Sequence, residues 1–149
     1  MPTYVYPFVL IYEAPALRPC LPIRLYNPHE PSPPGASRLL ETYCLADTGA
    51  DTTMMPKWVA ENTGHNLNGV GVSSTLSQGI AGMDVRTWKH TFIVSLLDPD
   101  NYQPIWQSGD MLIDCAEHDN VPPLLGSSNF LSNFRITFDY PSSCCVVEF

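Results

Sequence analysis

Asp47-Thr48-Gly49-Ala50-Asp51 is the stretch best suited to chemistry. It follows the apolar run Leu39-Leu40 and Tyr43-Cys44-Leu45-Ala46, and it precedes Met54-Met55-Pro56. A charged carboxylate at the end of a buried strand is costly unless it is hydrogen-bonded or left partly wet. A short turn containing Thr and Gly meets both needs. Backbone N–H groups satisfy one side of the carboxylate, and the other side faces outward. Such a group is fit for acid–base work. The plain alternative is an ordinary strand-to-turn corner, with Asp47 capping the turn and Gly49 supplying positive φ.

Two further segments bear on that choice. In Pro122-Pro123-Leu124-Leu125-Gly126-Ser127-Ser128-Asn129-Phe130-Leu131, the two leucines are expected to fill the core beneath the Asp47 turn. Gly126 is expected where a Cβ would collide with a passing backbone. Ser127 or Ser128 is read as the N-cap of a helical turn running through Leu131. Between the two, Leu76-Ser77-Gln78-Gly79-Ile80-Ala81-Gly82-Met83 has strand-like runs on either side and reads as a hairpin tip. Gly69-Val70-Gly71 lacks the strand–glycine–helix context of a dinucleotide loop.

Together these three segments resemble the retropepsin-like branch of the aspartic peptidases, over roughly Leu21 to Tyr140. The resemblance implies an all-β, single-lobe acid-protease fold: a closed β barrel with one or two short helices. It implies a peptidase domain over 21–149, preceded by an N-terminal arm or extra strand over 1–20. It assigns the catalytic roles to Asp47, Thr48 and Gly49. Asp47 is the shared acid and base, Thr48 sends its hydroxyl across a dimer axis, and Gly49 keeps the loop tight. Substrate contacts fall to Ala50, Asp51, Leu125 and the flap residues Gly79, Ile80, Ala81 and Gly82. Ala50 stands where many two-lobed relatives carry Ser or Thr, which implies a pH optimum nearer neutral than that of gastric-type enzymes. Neither a metal nor a cofactor is implied.

The chemistry of that family needs two carboxylates across one water, sharing one proton because both cannot ionise together. This chain carries one Asp-Thr-Gly and no Asp-Ser-Gly. Ser108-Gly109-Asp110 runs in the wrong order. The second carboxylate is therefore expected from another copy of the chain, in a two-fold homodimer acting on polypeptide. One departure concerns an Arg that retroviral members place after the glycine step, where this chain has Ser127. Arg18, Arg24 and Arg38 are the candidate replacements. Two other readings stay open: a peptide-binding scaffold of the same fold with little or no turnover, and a self-processing protease with one dedicated target.

Composition sets the frame. A chain of 149 residues suits one domain with one core, and 15 prolines favour strands and loops over long helices. With 15 acidic against 7 basic residues, a net charge of −8 and no basic stripe, nucleic acid and anionic membrane surfaces are poor partners. No apolar run approaches the ~18 residues of a membrane helix. Val5 to Tyr12 is short and is broken by Pro7, so it does not read as a secretory signal. The five cysteines are odd in number and lack metal-ligand spacing. A cytoplasmic setting with reduced thiols is expected. Cys144-Cys145 reads as small strand residues, and His29, His65, His90 and His118 as scattered, non-ligating histidines.

The elements that must position these residues are mostly strands: Leu21 to Tyr26, Arg38 to Ala46, Trp88 to Leu97, Met111 to Cys115, Phe134 to Tyr140 and Cys145 to Phe149. Asn27 to Ala36 holds four prolines and reads as a surface loop. Pro56 suits the start of a helix running to about Asn62, and Gly64 suits its stop. Val72 to Arg86 is the expected flap hairpin, and Asp98 to Gly109 the expected polar loop. Met1 to Pro19 is read as an extra strand, a dimerising arm or a tail lying in the cleft. Cys145 to Phe149 is a candidate for a dimer sheet built from chain ends.

Overall fold

A computed structural model describes residues 1–11, 16–78 and 84–149. It is mostly β, and its described helix is limited to one short α-helix and one 3₁₀ turn. The strands are β1 (Thr3–Pro7), β2 (Cys20–Tyr26), β3 (Leu39–Ala46), β4 (Met54–Met55), β5 (Ser74–Gln78), β6 (Asp84–Leu97), β7 (Pro104–Ala116), β8 (Leu124–Leu125), β9 (Arg135–Asp139) and β10 (Cys144–Glu148). The helix α1 spans Lys57–Asn62, and the 3₁₀ turn spans Leu131–Asn133. Pro56 stands immediately before α1, where its missing N–H is no loss. Past the helix end, Gly64 takes φ +78, and a Cβ there would press against Pro31.

The larger sheet runs β2-β3-β8-β4-β7-β6-β5, with a further pairing between β2 and β6. Strand β2 thus lies antiparallel to both β3 and β6. The short strands β4 and β8 are the crossing point. Leu45 and Ala46 pair in parallel with Leu124 and Leu125, and Met54 and Met55 pair in parallel with Asp114 and Cys115. These few pairings bring the end of β3 over residues some 80 positions later. Leu21, Ile23, Leu25, Phe92, Val94, Leu96, Ile113 and Leu125 are fully or almost fully buried between the strands. Burying each such side chain contributes on the order of 2 kcal/mol.

The smaller sheet has the order β1-β10-β9. Alternation along β1 sends Tyr4 and Tyr6 inward and leaves Thr3, Val5 and Pro7 exposed. Tyr6 is fully buried, and its hydroxyl donates to the Leu97 carbonyl at 2.8 Å. That bond ties the small sheet to the end of β6. The N-terminal segment is therefore partly an integral strand, continued by a Val9–Arg18 bridge.

Two expectations are corrected here. Residues 98–109 are not one loop. Only 98–103 turn, closed by Asp98 Oδ1 accepting from the Asp100 and Asn101 amides, and β7 begins at Pro104. The C-terminal strand also has no free edge for a partner chain, because β10 pairs with β1 on one side and β9 on the other.

All five cysteines are free thiols, and only Cys144 is not buried. Burial pushes the Cys20 thiol up to about 12 and the Cys145 thiol up to about 11. Burial also raises Cys44 and Cys115. These groups pack as small apolar side chains rather than reactive thiolates.

Candidate active site

Strand β3 delivers Asp47 directly after the buried Ala46. The Asp47 amide donates to the Leu125 carbonyl at 3.1 Å, extending the β3–β8 pairing by one residue. The chain then turns. Asp47 Oδ1 accepts from the Gly49 amide at 2.9 Å, and the Ala50 amide donates to the Asp47 carbonyl at 3.2 Å. This Asx-type turn fixes one carboxylate oxygen from the backbone. Asp47 is half-buried, while Thr48 and Gly49 are exposed. A Cβ on Gly49 would sit 3.3 Å from Asp47 Oδ1, tight enough to strain that bond. The carboxylate borders a cleft that is also lined by Thr48, Leu45, Arg18, Val121 and Tyr140.

The loop is clamped from beneath. The Ser127 amide and hydroxyl both donate to the Ala50 carbonyl, at 2.8 and 3.1 Å. The Ser128 amide and hydroxyl both donate to the Asp51 carbonyl. These serines are not N-caps: the 3₁₀ turn is preceded by Phe130, with no side-chain cap. Their donors go to the loop because two carbonyls at the loop's end need partners there. Gly126 lies against the Thr52 backbone, and a Cβ would fall 2.2 Å from the Thr52 carbonyl carbon. No side chain fits, so glycine is required by space rather than by backbone angle.

Further residues complete the support. Thr53 is fully buried. Its hydroxyl donates to Asn129 Oδ1 at 2.8 Å and accepts from the Gly126 amide at 3.0 Å, while its amide also donates to Asn129 Oδ1. Buried Asp114 accepts from the Thr52 hydroxyl at 2.9 Å and from Lys89 Nζ at 2.7 Å. Sequence reasoning missed Thr53, Asn129, Asp114 and Lys89. The only signal was position: Thr52-Thr53 extends the Asp47 motif, and Asn129 follows the glycine step.

The remaining predicted residues divide. Asp51 is exposed next to the clamp, and Ala50 is half-buried. Leu125 is fully buried, so it supports the loop from the core and offers no surface to a ligand. Leu124, beside it, is half-buried. Gly79, Ile80, Ala81 and Gly82 lie outside the described residues, although β5 and β6 on either side pair as a hairpin from Ser74↔Trp88 to Gln78↔Asp84. Of the three candidate arginines, Arg24 is bound to Glu41 at 2.9 Å. Arg38 donates to the Asn27 carbonyl and lies over the Tyr26 ring. Only Arg18 borders the Asp47 cleft.

Among the described residues, no cluster of three or more His, Cys, Asp or Glu is placed to hold a metal. No helix among them is long and apolar enough to cross a membrane. No family model matches the chain, and no curated protein matches it.

Proposed function

We propose that this protein is an aspartic endopeptidase of the retropepsin-like kind, working as a homodimer. The observation that carries the reading is the Asp47 turn. One carboxylate oxygen is held by the Gly49 amide at the edge of a cleft, on a loop that the Gly126–Asn129 segment grips from below. Ser127, Ser128 and Asn129 hold the carbonyls of Ala50 and Asp51 and the amide and hydroxyl of Thr53, more fixing than a mere strand corner needs. The return pairing of β2 onto β6 supports the closed-barrel reading of the larger sheet.

In this reading, Asp47 of one protomer meets Asp47 of its partner. The two carboxylates share one proton, since like charges a few ångströms apart do not both ionise. The ionised member takes a proton from the water between them, and that water attacks the scissile carbonyl carbon. The protonated member hydrogen-bonds the carbonyl oxygen as charge develops there. Collapse of the tetrahedral intermediate passes a proton to the leaving amine. Thr48 is exposed beside Asp47, and in this reading its hydroxyl meets the partner loop. The β5–β6 hairpin supplies an edge along which an extended peptide forms main-chain bonds.

The test compares wild type with Asp47→Asn on labelled, denatured casein, with and without pepstatin. The reading expects cleavage that Asp47→Asn abolishes and pepstatin inhibits. Equal cleavage by both proteins overturns it.

A further inference from the structure

The pair Lys89–Asp114 lies between the candidate loop and the strand that returns from the hairpin. Lys89 is the sixth residue of β6, and Asp114 sits in β7 where that strand pairs with both β6 and β4. The Asp114 carboxylate is almost completely buried, while Lys89 is about one-third exposed. Each Asp114 oxygen has one defined partner: Oδ1 takes Lys89 Nζ and Oδ2 takes the Thr52 hydroxyl. The Asp114 amide also donates to the Thr53 carbonyl at 3.2 Å. A buried carboxylate is costly unless paired and hydrogen-bonded. Here the charge of Lys89 meets that need, and the second oxygen is left to hold Thr52. Thr52 itself is exposed.

We propose that Asp114 is a positioning residue. Oriented by Lys89, it anchors Thr52 and so fixes the C-terminal end of the Asp47 loop relative to β6. Ser127 and Ser128 hold Ala50 and Asp51, and Asp114 holds the next residue, Thr52. The loop then has a fixed height relative to the strand that carries the hairpin. A peptide gripped between hairpin and loop needs that spacing held to a fraction of an ångström for turnover. The catalytic part of this inference rests on Asp47 being the reactive carboxylate, whereas the anchoring part does not.

The test uses the full chain with Thr52→Val, which removes the hydroxyl at an exposed site and leaves Lys89–Asp114 intact. Thr52→Ser keeps a hydroxyl and serves as the rescue. Amide hydrogen exchange over 48–52 is expected to quicken about tenfold in Thr52→Val and to return toward wild type in Thr52→Ser, with β2 and β10 unchanged. On labelled casein, kcat is expected to fall about tenfold with KM within twofold. Lys89→Met is expected to quicken exchange over the same residues, and Lys89→Arg to restore it. Wild-type exchange in Thr52→Val overturns the anchoring, whatever the protein cleaves. Wild-type kcat in Thr52→Val, where Asp47→Asn is inactive, overturns the catalytic consequence. An Asp47→Asn protein as active as wild type rejects the peptidase reading instead, and the exchange result still decides the anchoring.

Discussion

The Thr53 hydroxyl donates to Asn129 Oδ1 at 2.8 Å across 76 residues of sequence, and the hydroxyl oxygen itself accepts from the Gly126 amide. This one buried side chain joins the two segments on which the candidate site depends. Asn129→Ala would leave the buried Thr53 hydroxyl proton and the Thr53 amide without their acceptor. The expected cost is about 2 kcal/mol, or roughly 6 °C in Tm for a chain of this size. Thermal unfolding followed by circular dichroism checks it, and an unchanged Tm would show the join to be incidental.

Gly126→Ala is expected to be more damaging than its size suggests. The added methyl carbon meets the Thr52 backbone at 2.2 Å, and backbone cannot swing aside as a side chain can. A loss of about 3 kcal/mol is expected. By contrast, Gly109→Ala meets nothing within 4 Å, and its stability is expected to change little. Denaturant midpoints for the two variants provide the comparison.

His65 and His90 set an acid limit on the fold. Their rings lie 4.6 Å apart, and each has a ring nitrogen at a backbone carbonyl, Thr91 for His65 and Leu67 for His90. Burial first, and then the neighbouring His90, lower His65 from its ordinary 6.5 to about 4, against the opposing effect of the Thr91 carbonyl. Burial also lowers His90. Between pH 6.5 and about 4 the unfolded chain therefore binds more protons than the folded one. The stability from keeping these rings neutral is complete above that window and is lost as pH falls through it. Tm measured against pH is expected to drop along this limb, and less steeply in His65→Gln, which retains a donor for Thr91 but does not titrate. A flat profile would contradict the buried neutral pair.

Arg18 is expected to matter for assembly where Arg24 does not. Arg24 is occupied by Glu41 in an exposed pair, while Arg18 borders the Asp47 cleft. Asp51 is exposed and makes no ion pair with any described residue of its own chain. Arg18→Ala is expected to raise the dimer dissociation constant roughly tenfold, equivalent to ~1.4 kcal/mol. Arg24→Ala is expected to leave it within about twofold. Sedimentation velocity over a concentration series measures both.

Legibility in the sequence followed the range of the interactions. Asp47-Thr48-Gly49 at a strand end, the leucines of β8 and the limits of α1 were readable because local pattern and burial agree there. The first half of β7 was not. Gln107, Gly109 and Asp110 are exposed, so the apolar signal is diluted, and the segment is a strand because β6 supplies the ladder opposite, Leu96 against Trp106. Strand β1 was blurred by Pro7, which a strand end tolerates. Ser127 and Ser128 have the chemistry of caps, but the carbonyls they serve lie 77 residues earlier. The Lys89–Asp114–Thr52 chain spans three separate elements, and no spacing in the sequence encodes it.

Whether two Asp47 side chains make one site is decided by subunit mixing. Wild-type protein is mixed with increasing Asp47→Asn protein at fixed total concentration, allowed to exchange subunits, and assayed for cleavage of labelled casein. Activity is expected to follow the square of the wild-type fraction, about a quarter at equal parts. Activity that falls linearly, or that persists in Asp47→Asn alone, would contradict it.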